Sequence, residues 1–152
     1  MICEVLRIIC ATFIASFSGI SRIGKQTVPE LILKDEVYQI VGAAMDVYFT
    51  LGRDFLEPIY QEAFGIELSR RSIPFVPQKE LKIDYKGIQL EKKYVADFMC
   101  FEQIIVEIKA CVALNAYDEG QLINYMRASK MRVGLLINFC SQAKLEWKRY
   151  VL

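Results

Sequence analysis

The chain of 152 residues contains no histidine. That absence removes Ser-His and Cys-His couples, the imidazole general base and every zinc site that mixes Cys with His. Cysteine is sparse: Cys3, Cys10, Cys100, Cys111 and Cys140 are odd in number and lack any CxxC spacing. This argues against a disulfide framework and against a thiolate metal cluster. Three of the five lie in apolar runs and read as core packing in a reducing, cytoplasmic setting. Net charge is nearly absent too, since 19 Lys and Arg against 18 Asp and Glu leave +1. Contact with nucleic acid must then come from local clusters, the candidates being Arg70-Arg71, Lys92-Lys93, Lys130 with Arg132, and Lys148-Arg149. Each of these taken alone reads as solvated surface.

Long hydrophobic runs are missing apart from Ile8 to Phe17, which is too short to span a bilayer, so no membrane span is expected. It has the length of a signal-peptide core, but Glu4 precedes it along with Arg7, and the cleavage site is poor. We expect residues 1–30 to form an apolar extension outside the core and residues 31–152 to form one domain. No repeat or low-complexity tract breaks that domain, and 54% hydrophobic residues suit one well-filled core.

What is present is a clear periodicity. From Lys34 to Thr50, Val37, Ile40, Val41, Ala44, Met45 and Tyr48 mark one face of a helix that Gly52 ends. A second helix is expected from Pro58 to Arg71, with Ile59, Ala63, Phe64, Ile66 and Leu68 as its apolar side. Pro74 and Pro77 then break the chain. The stretch LKIDYKGIQLEKKYVADFMC reads as two strands joined at Lys86-Gly87, and a further hairpin follows through VADFMCFEQIIVEIKA. A helix near Tyr117 to Ala128, a strand over Arg132 to Asn138 and an extended piece, KLEWKRYVL, complete the order. A meander followed by a crossover helix gives a mixed α/β sheet.

The hairpin carries charge among its apolar residues, and its register decides where that charge goes. A two-residue turn would mix charge into the core. A three-residue turn, Phe101 to Gln103, sets Ala96, Phe98 and Cys100 against Ile108, Val106 and Ile104, and sets Asp97 opposite Glu107. Those two Cβ atoms then lie about 5 Å apart with Lys109 on the same face. Two carboxylates at that separation raise each other's pKa unless something positive lies between them. Lys109 does part of this, and a hard divalent cation such as magnesium does it better.

The plainer alternatives are specific. An E-x-K on a strand is by itself an exposed ion pair. Gln121 and Tyr125 share a helix face at i and i+4, yet Leu122, Tyr125 and Met126 also make an ordinary apolar stripe. Asp54 and Glu57 form a D-x-x-E that resembles a capping pair, although Pro58 disfavours helical geometry at Glu57.

Five segments in order, LGRDFLEPIYQEAFGIEL, YVADFMC, VEIKA, QLINYM and RVGLLINF, resemble the GxxExxY proteins, a family within the PD-(D/E)XK nuclease superfamily. The resemblance runs from about Glu36 to Tyr150. It implies a restriction-endonuclease-like mixed sheet of order helix-strand-strand-strand-helix-strand, flanked by helices, and metal-dependent hydrolysis of phosphodiester bonds. By position, Asp97 matches the first metal-binding aspartate, Glu107 the second carboxylate and Lys109 the lysine of E-x-K. Glu57 and Tyr60 match the E-x-x-Y, with Glu57 as a further metal ligand and Tyr60 as a substrate-positioning residue. Gln121 and Tyr125 resemble the Q-x-x-x-Y helix of RecB-like nucleases, which positions substrate.

Asp54 stands where the motif's first glycine belongs, although Gly52 is close by. The resemblance implies Mg²⁺ or Mn²⁺, held by Asp97, Glu107, Glu57 and the Ile108 backbone carbonyl. It also implies a nucleic-acid substrate, expected to be DNA, and the length of 152 residues leads us to expect recognition by structure or strand ends, with a homodimer or partner protein. The competing expectation is a module on the same fold that binds nucleic acid or protein without cutting.

Overall fold

The computed structural model describes residues 31–152, so the expected apolar extension over residues 1–30 lies outside the described residues. Helix α1 spans Lys34–Leu51 and buries Val37, Ile40, Val41, Ala44 and Val47. Met45, expected on that face, is exposed at 40%, because the buried stripe turns toward Ala43 and Val47 instead. Gly52 ends the helix at φ 73 and donates its N–H to the Tyr48 carbonyl, a conformation that suits a residue without a Cβ.

Helix α2, Glu57–Arg70, starts one residue earlier than its proline signal. It buries Tyr60, Phe64 and Leu68 at steps of four, while Ile59 and Ile66, expected on the apolar side, face solvent. Leu56 is its N-cap, and no side chain caps it. The D-x-x-E of Asp54 and Glu57 is therefore not a capping pair.

The expectation that Pro74 and Pro77 break the chain is corrected. Strand β1 covers Phe75–Leu81 and pairs antiparallel with β4, Tyr94–Cys100. Pro77 is tolerated because β1 is an edge strand, where a missing N–H faces outward. The stretch read as two full strands is mostly a small excursion. Strands β2, Asp84–Tyr85, and β3, Ile88–Gln89, form a separate two-stranded hairpin around Lys86 at φ 53 and Gly87 at φ 82.

Strand β5, Ile104–Lys109, pairs antiparallel with β4 in the register that the apolar pattern demands, Phe98 to Val106 and Cys100 to Ile104. Phe101 and Glu102, both at positive φ, and Gln103 make the three-residue turn. Helix α3, Ala116–Ser129, then carries the chain to β6, Val133–Asn138, which runs parallel to β5. Strand β7, Glu146–Val151, adds the expected antiparallel edge and gives a five-stranded sheet of order β1-β4-β5-β6-β7.

Each face of the sheet has its own core. Tyr60, Phe64, Phe98, Cys100, Val106, Ile108 and Phe139 pack with α1 and α2 on one side. Met99, Ile105, Leu122, Met126 and Leu136 pack around α3 on the other. Ala96 departs from expectation. Strict alternation puts it with Phe98 and Cys100, but it belongs to the α3 cluster together with Leu81. The inversion falls at the one rung missing from the β1–β4 pairing, Gln78 with Asp97, where Gln78 takes φ 46. A left-handed residue in a strand turns the following side chains over. The chain thus changes faces at Asp97.

Candidate functional site

The β4–β5 ladder stops at Phe98–Val106. One residue further the strands are bridged by carboxylates. Asp97 Oδ2 accepts from the Ile108 amide at 3.0 Å, and Glu107 Oε1 accepts from the Asp97 amide at 3.1 Å. Both acids are thereby fixed by backbone donors at one spot, and Gln78 Nε2 donates to the other Asp97 oxygen at 3.4 Å. The expected opposition of Asp97 and Glu107 is met, but through side chains that replace ladder bonds.

Glu107 is 1% exposed. Loss of hydration, and after it the charge of Asp97, push its carboxyl up to about 8, while the Asp97 amide and Lys109 pull the other way. The Lys109 ammonium is 3.9 Å from Glu107 Oε2, at the outer limit of an ion pair, so its compensation is partial. Glu57, the first residue of α2, is half-buried, and burial raises its pKa. The nearby Lys109 charge and the Ala110 amide lower it, and Asp97 raises it. The three carboxylates and the lysine therefore share one electrostatic neighbourhood.

Helix α3 supplies the opposite wall. Gln121 donates to the Tyr125 hydroxyl at 2.9 Å, and Tyr125 packs on Tyr94 with ring centroids 4.9 Å apart. Burial raises the Tyr125 pKa, Gln121 lowers it, and Glu107 and Asp97 add upward pushes. An Asn115–Asp118 capping box starts this helix; such a box satisfies two backbone donors that a helix start leaves open.

Tyr60 is not brought to this site. It is fully buried, stacked on Phe139 at 4.9 Å, and its hydroxyl donates to the Gly52 carbonyl at 2.8 Å. Its work is to hold the loop that precedes Glu57, through that bond and a 3.4 Å bond from the Phe55 amide. Asp54 in the same loop takes φ 77, so the motif's glycine position does require a left-handed residue.

Residues that the sequence did not disclose support the site from behind. Asn138 is wholly buried at the end of β6. Its Oδ1 accepts from the Cys111 amide at 3.1 Å and the Cys140 amide at 3.2 Å, and its Nδ2 donates to Glu146 at 3.0 Å. This ties down the turn just after Lys109. The signal for Asn138 was a lone amide closing the apolar run GLLIN; nothing around Gln78 signalled its contact with Asp97.

A divalent cation fits this donor set. Hard carboxylate oxygens suit magnesium and manganese, and a positive charge would offset both the lost hydration and the Asp97 repulsion that raise Glu107. Among the described residues no group of three or more His, Cys, Asp or Glu is arranged to enclose a metal. Further ligands would then be carbonyl, water or substrate phosphate, as is usual for magnesium.

A mixed sheet between helices, with an aspartate and an E-x-K converging across two strands, defines a class of nuclease-like proteins. Residues 34–150 match the PD-(D/E)XK nuclease superfamily, and the chain belongs to it. No curated protein matches the chain. Among solved structures it is similar to the crystal structure of SSO0001, at 16% identity and a TM-score of 0.49, over 62% of this chain and 49% of that one. The chain thus spans about half the length of that protein. No helix among the described residues is long and apolar enough to cross a membrane.

Proposed function

We propose that this chain is a metal-dependent nuclease of the GxxExxY type that hydrolyses phosphodiester bonds in DNA, directed by structure or strand ends. The reading rests above all on Asp97 and Glu107 being fixed at the same break between β4 and β5, 1% exposure of Glu107 included. Asp97, Glu107 and the Ile108 carbonyl would hold Mg²⁺ or Mn²⁺, with water or substrate phosphate filling the remaining positions and Glu57 orienting one of those ligands. The ion when bound supplies an electrophile for the phosphate and a water of lowered pKa.

The chain's own groups then have separate tasks. Lys109 sits beside Glu107, where an ammonium orients a water and offsets charge developing on phosphorus. Gln121 and Tyr125, coupled by their hydrogen bond, orient the phosphate backbone. Tyr60 acts at one remove, by fixing the loop before Glu57. Recognition in this reading is by the structure or ends of the nucleic acid, with a homodimer or partner protein supplying further surface. The scattered cysteines, without any disulfide spacing, suit a reducing, cytoplasmic setting.

A second reading is a module that binds nucleic acid without cutting. The raised Glu107 pKa, about 8, favours it, since a neutral acid needs no cation. Cleavage of single-stranded, double-stranded and branched DNA and RNA, with Mg²⁺, Mn²⁺ or EDTA, decides between them. Metal-dependent cutting that Asp97→Ala and Lys109→Ala abolish supports the nuclease. Cutting equal in all three proteins marks a contaminant, and binding without cutting under any condition supports the module.

A further inference from the structure

A groove of about 560 Å³ runs between α3 and the β2–β3 excursion. Lys82, Arg127 and Lys130 line it against one carboxylate, Asp84. All three cations are exposed, and none forms an ion pair among the described residues. Lys93 and Lys148, by contrast, are neutralised by Glu80 and Glu119. Like charges gathered on a concave wall focus the local potential and attract anions.

An aromatic step joins this groove to the carboxylate site. Tyr94 lines the groove and packs on Tyr125, which in turn holds Gln121. A second groove of about 460 Å³ lies between α2 and β1, where Pro58, Ile66 and Phe75 line it with Glu62 and no cation. Of these two grooves, the α3 one alone is lined by cations.

We infer that the α3 groove is the track for one strand of nucleic acid passing to or from the Asp97–Glu107 site, with Lys82, Arg127 and Lys130 as its phosphate contacts and Tyr94 as its floor. This rests on the nuclease reading for its direction, while the groove's charge stands independently of it. The volume is that of a small-ligand cleft, so it takes a few nucleotides of a single strand and not a duplex. From Gln121 to Lys130 the chain advances roughly 14 Å at 1.5 Å per residue, the reach of a few nucleotides of one strand.

Lys130 adds an independent sign. It is the C-cap of α3 at φ 59, a position that favours glycine or asparagine. A lysine there also complements the helix dipole, and a dipole role alone would change thermal stability without changing ligand binding.

The test is fluorescence anisotropy of a labelled single-stranded oligonucleotide with the full chain in EDTA, across a salt series. Lys82→Ala, Arg127→Ala and Lys130→Ala should each weaken binding roughly three- to tenfold and lower the slope of log affinity against log salt by about 0.7. The double variant Lys34→Ala with Lys144→Ala, both positions being exposed and off the groove, should leave both quantities unchanged. A triple groove variant that binds as the wild type does, or no worse than that control, overturns the inference. Cutting by the wild type with an unaffected triple variant sinks the groove and leaves the nuclease standing. Loss of binding in the triple variant without any cutting by the wild type sinks the nuclease and leaves the groove.

Discussion

The Asp97 amide donates to Glu107 Oε1 at 3.1 Å, across a gap where the β4–β5 ladder has ended. Each carboxylate thus occupies a place that a backbone partner would fill in a regular sheet. Asp97→Asn keeps an oxygen acceptor for the Ile108 amide while removing the charge. It should fold normally and lose cleavage by about 10²-fold or more. The Glu107 pKa should fall, because the repulsion from Asp97 is gone; carboxyl titration by NMR reads this directly.

The raised Glu107 pKa makes metal-free stability depend on pH. A carboxyl whose folded pKa lies above its unfolded value binds its proton more tightly when folded. Unfolding free energy should therefore fall as pH rises from about 4.5 to about 8. Chemical denaturation at pH 5.5 and pH 8.5 checks the sign, and Glu107→Gln should flatten the profile over that window. A slope of the opposite sign would contradict the burial of an uncompensated acid.

Asp54 at φ 77 occupies a conformation that glycine enters freely. Asp54→Gly should raise stability by about 0.5–1 kcal/mol, seen as a melting temperature a few degrees higher. Cleavage should persist, since the loop's hold on α2 runs through Tyr60. A lower melting temperature would show that the Asp54 side chain contributes contacts that outweigh its backbone strain.

Gly134 on β6 packs tightly under the α3 side chains. An added Cβ would lie 2.5 Å from Met126 Sδ and 3.0 Å from Leu122 Cδ1. Gly134→Ala should cost about 1–3 kcal/mol by overpacking. It should also weaken cleavage by shifting Gln121 and Tyr125, which ride on the same helix. Thermal melting and cleavage rate report the two effects separately.

Much of this architecture was legible because it is written in local periodicity. The boundaries of α1 and α3, the β4–β5 register and the β7 edge follow from apolar spacing and turn chemistry. That register placed Asp97 against Glu107 without any coordinates. The β1 strand was not legible, since Pro77 reads as a break unless the strand is known to lie at an edge. The exposed Ile59 and Ile66 show a similar limit: which stripe of a helix with apolar residues on more than one side is buried depends on the sheet it meets.

By itself the sequence determined an aspartate and an E-x-K on neighbouring strands of a mixed sheet, because a period of two leaves only one register with an apolar face. Tertiary structure alone decided that the chain changes faces at Asp97, that Tyr60 supports and does not touch the site, and that Asn138 anchors the turn after Lys109. Those outcomes depend on one left-handed residue in β1 and on hydrogen bonds between segments far apart in the chain. Neither leaves a mark in local spacing.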